Sequence, residues 1–269
     1  MYQKFKNKLK NKELKKYILW KLGLNKLAHQ LKIFFNYILN PSQTIYNFYL
    51  YLIFNFSSLK NPSKYLNIKF NLLTKTDSDI NQHLKTLSEY GAKCDSIFET
   101  GVRGVVSSWA LLKGLNYSKS GPKYFLMNDI EECDVSEISK ISKRLGIEIE
   151  WIWKNNLDLS LNKKFDLIFI DTWHVYGQLK RELEKFSSKS NKYIILHDTT
   201  LDGVYGETIR NGWDANAQSI ETGFPIEEIE KGLWPAVEEF VNNHSDWIIL
   251  EKFDNNNGLT ILARKEIIS

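Results

Sequence analysis

Six residues, Phe165-Asp166-Leu167-Ile168-Phe169-Ile170, form a short apolar run with a single acid. Such a run reads as a strand buried on both faces, which a parallel sheet covered by helices on either side provides. It stops at Asp171-Thr172-Trp173-His174. A second run, Lys192 to Leu196, stops at His197-Asp198-Thr199-Thr200. In an open α/β sheet, ligands bind beyond the carboxyl ends of the strands. Two strand ends that each deliver a carboxylate and an imidazole predict a site there. The plainer alternative is that Asp171 and Asp198 only cap loops and helix starts.

The strand before these two is Asp95 to Glu99, followed by Thr100-Gly101-Val102-Arg103-Gly104 and a helix running to Lys113-Gly114. Glycines let the backbone approach a ligand closely, and a helix N-terminus offers free N–H groups. A dinucleotide site would put a pyrophosphate against this turn, and Glu99 would repel it. Glu99 suits a cation instead, such as an α-amino group. Tyr124 to Asn128 is another apolar strand, closed by Asp129 at a distance suited to an acid that bonds a ribose diol. A helix over 134–145 and a strand over 147–153 follow. Asn155-Asn156-Leu157-Asp158 then offers polar groups for an adenine edge, or a simple turn.

Further along, Leu179, Leu183 and Phe186 mark the buried face of a helix. Residues 199–225 form a long polar, Gly-containing insertion with Asp202, Tyr205, Glu207, Arg210, Trp213 and Asp214. Loops of this length inside a compact domain tend to be functional, and this one is expected to be a substrate lid. A helix through Ala236, Val237 and Phe240 precedes two strands, Trp247 to Phe253 and Leu259 to Arg264. Asn257-Gly258 between them is a strong hairpin signal.

The first 75 residues differ from the rest. Residues 1–60 hold eleven lysines and one acid, Glu13, so they carry +10; with the whole chain at +4, the remainder carries −6. Tyr17, Trp20, Leu24, Leu27 and Leu31 recur at helical spacing. Ile45 to Phe56 is nearly all apolar, but twelve residues are too few to cross a bilayer. Docking on the main domain or on a second subunit is the first expectation for this extension, and peripheral membrane contact the second. Nucleic-acid binding is not expected, because no recognition motif accompanies the basic residues. Pro62 to Lys75 reads as a connection or edge strand. Asp77-Ser78-Asp79 offers caps for a helix with Ile80, Leu84, Leu87 and Tyr90 on one face, ended by Gly91. The predicted division is an N-terminal helical extension, 1–75, and an α/β domain, 76–269. Cys94 and Cys133 have no ligand-like spacing and are expected to be reduced thiols. With no signal-peptide pattern, the expected location is cytoplasmic, with membrane association through residues 1–60 as an addition.

Glu99-Thr100-Gly101-Val102-Arg103-Gly104, Asp129, Ile170-Asp171-Thr172-Trp173-His174, His197-Asp198-Thr199 and the final hairpin resemble a class I S-adenosylmethionine-dependent methyltransferase. Within that superfamily the chain is similar to the metal-dependent group of cephalosporin-hydroxylase-like proteins and the sugar O-methyltransferases of macrolide and aminocoumarin biosynthesis. The likeness covers about 79–264. It implies a Rossmann-like, seven-stranded, mostly parallel sheet ending in an antiparallel hairpin. It implies S-adenosylmethionine held by Glu99, Thr100, Gly101, Arg103, Gly104, Ser107, Asp129 and Asn156, with Glu99 and Gly101 at the methionine end and Asp129 on the ribose. It makes Asp171 and Asp198 ligands of a divalent cation, Mg²⁺ first and Mn²⁺ second, with Asp171 and His174 catalytic and His174 the general base. His197 stands where the relatives carry an acid, and joins the metal set. The expected reaction is methylation of a sugar hydroxyl on a glycan or glycoconjugate. Two alternatives stand beside it: a metal-dependent hydroxylase on the same fold, testable with iron and 2-oxoglutarate in air, and a non-catalytic binding module. A homo-oligomer is compatible with the sequence.

Overall fold

The computed structural model describes residues 61–268, so the expectations for residues 1–60 lie outside it. Seven strands form one sheet: β1 Ser96–Thr100, β2 Tyr124–Asp129, β3 Glu148–Trp153, β4 Phe165–Ile170, β5 Ser190–His197, β6 Trp247–Phe253 and β7 Leu259–Arg264. Their order is β3-β2-β1-β4-β5-β7-β6. β1 to β5 pair in parallel, and β7 enters antiparallel between β5 and β6. The order reverses between β1 and β4, so the crevice for a ligand opens where Thr100 and Ile170 lie side by side in register. This is the seven-stranded Rossmann-like methyltransferase sheet that the sequence predicts, with its C-terminal hairpin.

Nine helices flank it: α1 Pro62–Leu73, α2 Leu84–Gly91, α3 Val106–Tyr117, α4 Ser136–Leu145, α5 Tyr176–Phe186, α6 Glu207–Arg210, α7 Ala215–Thr222, α8 Ile226–Glu230 and α9 Trp234–Asn243 among the described residues. Strand alternation divides the core. Phe98, Ile168 and Ile194 pack with Leu179, Leu183 and Phe186 of α5 and Val237 and Phe240 of α9. Ile97 faces the other way, towards α2 and α3, which meet at paired glycines. A Cβ on Gly114 would lie 2.3 Å from the Ser88 carbonyl oxygen and 2.8 Å from Gly91 Cα. Gly91 therefore serves close helix approach. It does not terminate α2 in a left-handed turn, since Ala92 after it is still right-handed (φ −69°). Gly114→Ala is expected to cost about 1–3 kcal/mol through overpacking, read as a lower unfolding midpoint. An unchanged midpoint would contradict this packing.

Residues 62–73 are a helix, not a connection or edge strand. Asn61 caps it by accepting from the Lys64 N–H at 2.9 Å, and Pro62 opens it. Tyr65, Leu66 and Phe70 are buried, and contacts group α1 with the α/β unit Asn61–Ser269, although the sequence reading allots these residues to the extension. The insertion over 199–225 is likewise structured. Asp214 caps α7, Glu207 N–H donates to the His174 carbonyl at 2.9 Å, and Leu233 N–H donates to that of Asp202 at 2.8 Å. These bonds pin the insertion, expected to be a lid, to the rest of the domain at Asp202 and Glu207. Cys94 and Cys133 are both free. No helix among the described residues is long and apolar enough to cross a membrane.

Candidate active site

A cavity of about 590 Å³ opens beyond the carboxyl ends of β1, β2 and β4. The turn after β1 forms one side. Gly101 has φ +90°, and a Cβ there would lie 1.8 Å from the Asp171 carbonyl oxygen, so only glycine lets the ends of β1 and β4 run so close. Gly104 has no such constraint. The left-handed positions fall instead on Arg103 (φ 40°) and Val105 (φ 62°), the latter immediately before α3. A β-branched residue in that region is a backbone outlier.

Asp129 holds the turn in place. Its Oδ2 accepts from the Val102 and Arg103 N–H groups at 2.8 Å each, and its Oδ1 from the Glu131 N–H at 2.9 Å. The N–H groups that a pyrophosphate would need are thus already taken by a carboxylate. Arg103 turns outward to an ion pair with Asp79, one of the residues expected to cap α2, and both line the cavity. Thr100, Gly101, Gly104 and Ser107 line it too.

Two predicted cofactor residues are placed differently. Glu99 is fully buried and does not line the cavity. Its Oε1 accepts from Ser107 Oγ at 2.5 Å, and its Oε2 has no hydrogen-bond partner among the described residues. It can therefore reach a ligand only through Ser107. Burial pushes its carboxyl up to about 8, against the lowering effect of the Ser107 and Ser108 hydroxyls. The folded state keeps a proton that the unfolded chain loses near its ordinary value of 4.5. Stability from this group is therefore present below that value and falls as pH rises towards about 8. Glu99→Gln is expected to raise the unfolding midpoint more at about pH 9 than at about pH 5; an equal gain at both would contradict the burial argument. Asn156 reaches the cavity wall, but its amide is committed to a buried network. Its Nδ2 donates to Thr100 Oγ1 at 3.0 Å and Glu182 Oε1 at 2.5 Å, and its Oδ1 accepts from Gln178 at 3.1 Å. Thr172 Oγ1 also donates to Glu182 Oε1, at 2.6 Å. Asn156 supports the floor under Thr100 more directly than it could read an adenine edge.

Beside the turn, at the ends of β4 and β5, lies the predicted His/Asp constellation. Asp171 and His174 line the cavity, while His197 and Asp198 sit behind them, 2% and 4% exposed. His174 Nε2 lies 3.2 Å from Asp171 Oδ1 and 3.1 Å from Asp198 Oδ2. His197 Nδ1 lies 3.3 Å and 3.1 Å from the same two oxygens. Sequence reasoning placed Asp202, Glu207 and Arg210 in the insertion without assigning them to this cluster. Asp202, fully buried, accepts from His174 Nδ1 at 3.0 Å and from Arg210 Nε and Nη2 at 2.6 and 2.9 Å. Glu207 Oε2 stands 3.7 Å from His174 Nδ1, on the cavity wall. The only sequence signal for Asp202 is its place one helical turn beyond Asp198.

Burial opposes the charged form of His174, but bonds to Asp171 and Asp202 and the charge of Asp198 outweigh it and hold its pKa well above the ordinary value. Both ring nitrogens of His174, the residue expected to be the general base, are engaged by carboxylates. His197 is raised similarly, to about 10: burial lowers it, and Asp171 and Asp198 more than compensate.

Donor atoms of Asp171, His197 and Asp198 all lie within 4.8 Å of one another. Asp198 Oδ1 is buried with no hydrogen-bond partner among the described residues. An orphaned carboxylate oxygen inside such a set fits a bound divalent cation.

The strand order and register define the fold as that of class I methyltransferases. No family model matches the chain, and no curated protein matches it. Among solved structures, it is similar to an O-methyltransferase from Bacillus cereus in complex with S-adenosylhomocysteine, at 17% identity over 80% of this chain and 96% of that one, with a TM-score of 0.46. An O-methyltransferase of tomaymycin synthesis from Streptomyces achromogenes, in complex with S-adenosylmethionine, shows 14% identity over 78% and 94%, with a TM-score of 0.46. A putative O-methyltransferase from Klebsiella pneumoniae shows 16% identity over 80% and 94%, with a TM-score of 0.48. At such values the fold assignment rests on the topology itself.

Proposed function

We propose that this chain is an S-adenosylmethionine-dependent O-methyltransferase, with a divalent cation at Asp171, His197 and Asp198, acting on a hydroxyl of a neutral sugar. One observation carries the reading: a single cavity joins the Asp129-braced glycine turn to the wall formed by Asp171 and His174. A cofactor on the turn and an acceptor at the wall would share that space, and methyl transfer depends chiefly on aligning the two. The lining supports a cationic cofactor. It holds the acids Asp79, Asp129, Glu131, Glu132, Asp171 and Glu207 against two cationic groups, Arg103, paired with Asp79, and His174, engaged by carboxylates. A sulfonium with an amino group suits that field, whereas a pyrophosphate would be repelled by it.

The same field disfavours phosphorylated acceptors. Trp213, 47% exposed, and Trp173 line the cavity, and an aromatic lining suits the C–H face of a sugar. A divalent cation in the site would lower the pKa of a hydroxyl bound to it. With Asp171 committed to the cation, Glu207 is the cavity-facing carboxylate beside His174 placed to take the acceptor's proton, since His174 turns Nε2 to Asp171 and Asp198 and Nδ1 to Asp202. The test is incubation with methyl-labelled S-adenosylmethionine, a divalent cation and matched panels of neutral and phosphorylated glycosides. Base-stable label is expected on neutral glycosides. Label confined to phosphorylated acceptors, or to nitrogen, would overturn the acceptor assignment.

A further inference from the structure

We infer that His174 is a fourth donor to the metal, so that two imidazoles and two carboxylates form a site selective for the later first-row transition dications, Co²⁺ and Zn²⁺ among them, over Mg²⁺ and Mn²⁺. The inference deepens the proposed methyltransferase site, but it concerns metal binding, which can be measured without turnover. Two nitrogens, His174 Nε2 and His197 Nδ1, each touch the same two oxygens, Asp171 Oδ1 and Asp198 Oδ2, at 3.1–3.3 Å. Donors about 2.0–2.2 Å from one Zn²⁺-sized ion stand about that far apart. Asp198 touches both imidazoles, and its Oδ1 is buried with no hydrogen-bond partner among the described residues.

The outer nitrogens point the same way. A metal-bound histidine characteristically donates its other N–H to a carboxylate or a backbone carbonyl, which sets the tautomer and the ring plane. His174 Nδ1 faces Asp202 at 3.0 Å, and His197 Nε2 faces the Asn256 carbonyl at 3.3 Å. Both partners are themselves held. Arg210 grips Asp202 through Nε and Nη2, so Asp202 is neutralised as an outer partner and is not left as a further ligand. The Asn256 side chain accepts from the Gln82 N–H at 3.0 Å and donates to the Ser78 carbonyl at 2.9 Å. Each ring thus turns one nitrogen towards the carboxylate pair. Imidazole suits Mn²⁺ poorly and Co²⁺ or Zn²⁺ well, while Mg²⁺ takes oxygen ligands in octahedral sets.

The experiment uses the full chain, stripped with chelator and titrated calorimetrically with Mg²⁺, Mn²⁺, Co²⁺ and Zn²⁺ in turn. The visible absorption of the Co²⁺ form is recorded, and S-adenosylhomocysteine is titrated separately. Co²⁺ and Zn²⁺ are expected to bind at least ~100-fold more tightly than Mg²⁺, following ligand softness, and Co²⁺ to give the intense bands of a low-coordinate nitrogen–oxygen site. His174→Ala is expected to weaken Zn²⁺ binding at least as much as the ~10–100-fold that loss of an outer partner costs, and to change the Co²⁺ spectrum. Asp202→Asn keeps the shape and is expected to weaken Zn²⁺ binding by ~10–100-fold, which covers the case in which His174→Ala fails to fold. Mg²⁺ binding as tight as Zn²⁺ overturns the inference, as does a folded His174→Ala or Asp202→Asn variant with wild-type metal affinity and spectrum. Cofactor binding without this metal preference defeats the inference alone. Metal preference without cofactor binding defeats the methyltransferase reading alone.

Discussion

Replacing Gly101 with alanine is expected to lower S-adenosylhomocysteine affinity at least ~10²-fold, the scale on which small misplacements act in aligned sites, and to lower the unfolding midpoint. The methyl group would lie 1.8 Å from the Asp171 carbonyl oxygen and 2.5 Å from its carbon, both backbone atoms that cannot swing aside. The φ of +90° adds strain for any side chain. Relief requires β1 and β4 to part at their ends, which breaks the bond from the Asp171 N–H to the Thr100 carbonyl at 3.0 Å. The cofactor turn and the first metal-ligand candidate would shift together, so turnover should fall further than affinity. Calorimetric titration and thermal unfolding read the two effects. Wild-type affinity in a Gly101→Ala variant would mean that the turn is not the cofactor's seat.

The second large effect is expected at Asp198. Asn keeps its volume and tolerates the left-handed φ of +57° found there, so Asp198→Asn removes charge with little change of backbone. The variant should lose turnover by at least ~10²-fold, the range for groups that stabilise developing charge. Cofactor affinity should stay within a few-fold of wild type, because Asp198 lies behind the cavity wall and does not line it. Labelled methyl transfer and cofactor titration separate the two. Unchanged turnover would reduce Asp198 to a cap and core hydrogen-bonder.

Much of this site is legible in the sequence because strand ends are. A run such as Phe165–Ile170 has to be covered on both faces, and its last residue must deliver Asp171 to the crevice. The same logic placed Asp129 and His197-Asp198 correctly, and Asn257-Gly258 announced the hairpin. Partnerships across the fold are not legible in this way. Nothing near Glu99 says that Ser107 will seal it from the cavity, since that depends on how α3 settles over β1. The commitment of Asn156 to Glu182 and Gln178 depends on the approach of α5. Asp202, gripped by Arg210, meets His174 only because the insertion folds back and is pinned at Asp202 and Glu207. α1 was different: Asn61-Pro62 is a helix-start signal, with Leu66 and Phe70 one turn apart.

The central claim is that the cavity beside the Asp129-braced turn takes S-adenosylmethionine and not a dinucleotide. Calorimetric titration of the full chain with S-adenosylhomocysteine and, separately, with NAD tests it most directly. Saturable binding of S-adenosylhomocysteine, one per chain, with no heat from NAD is the predicted result. Tight binding of NAD with none of S-adenosylhomocysteine would contradict it.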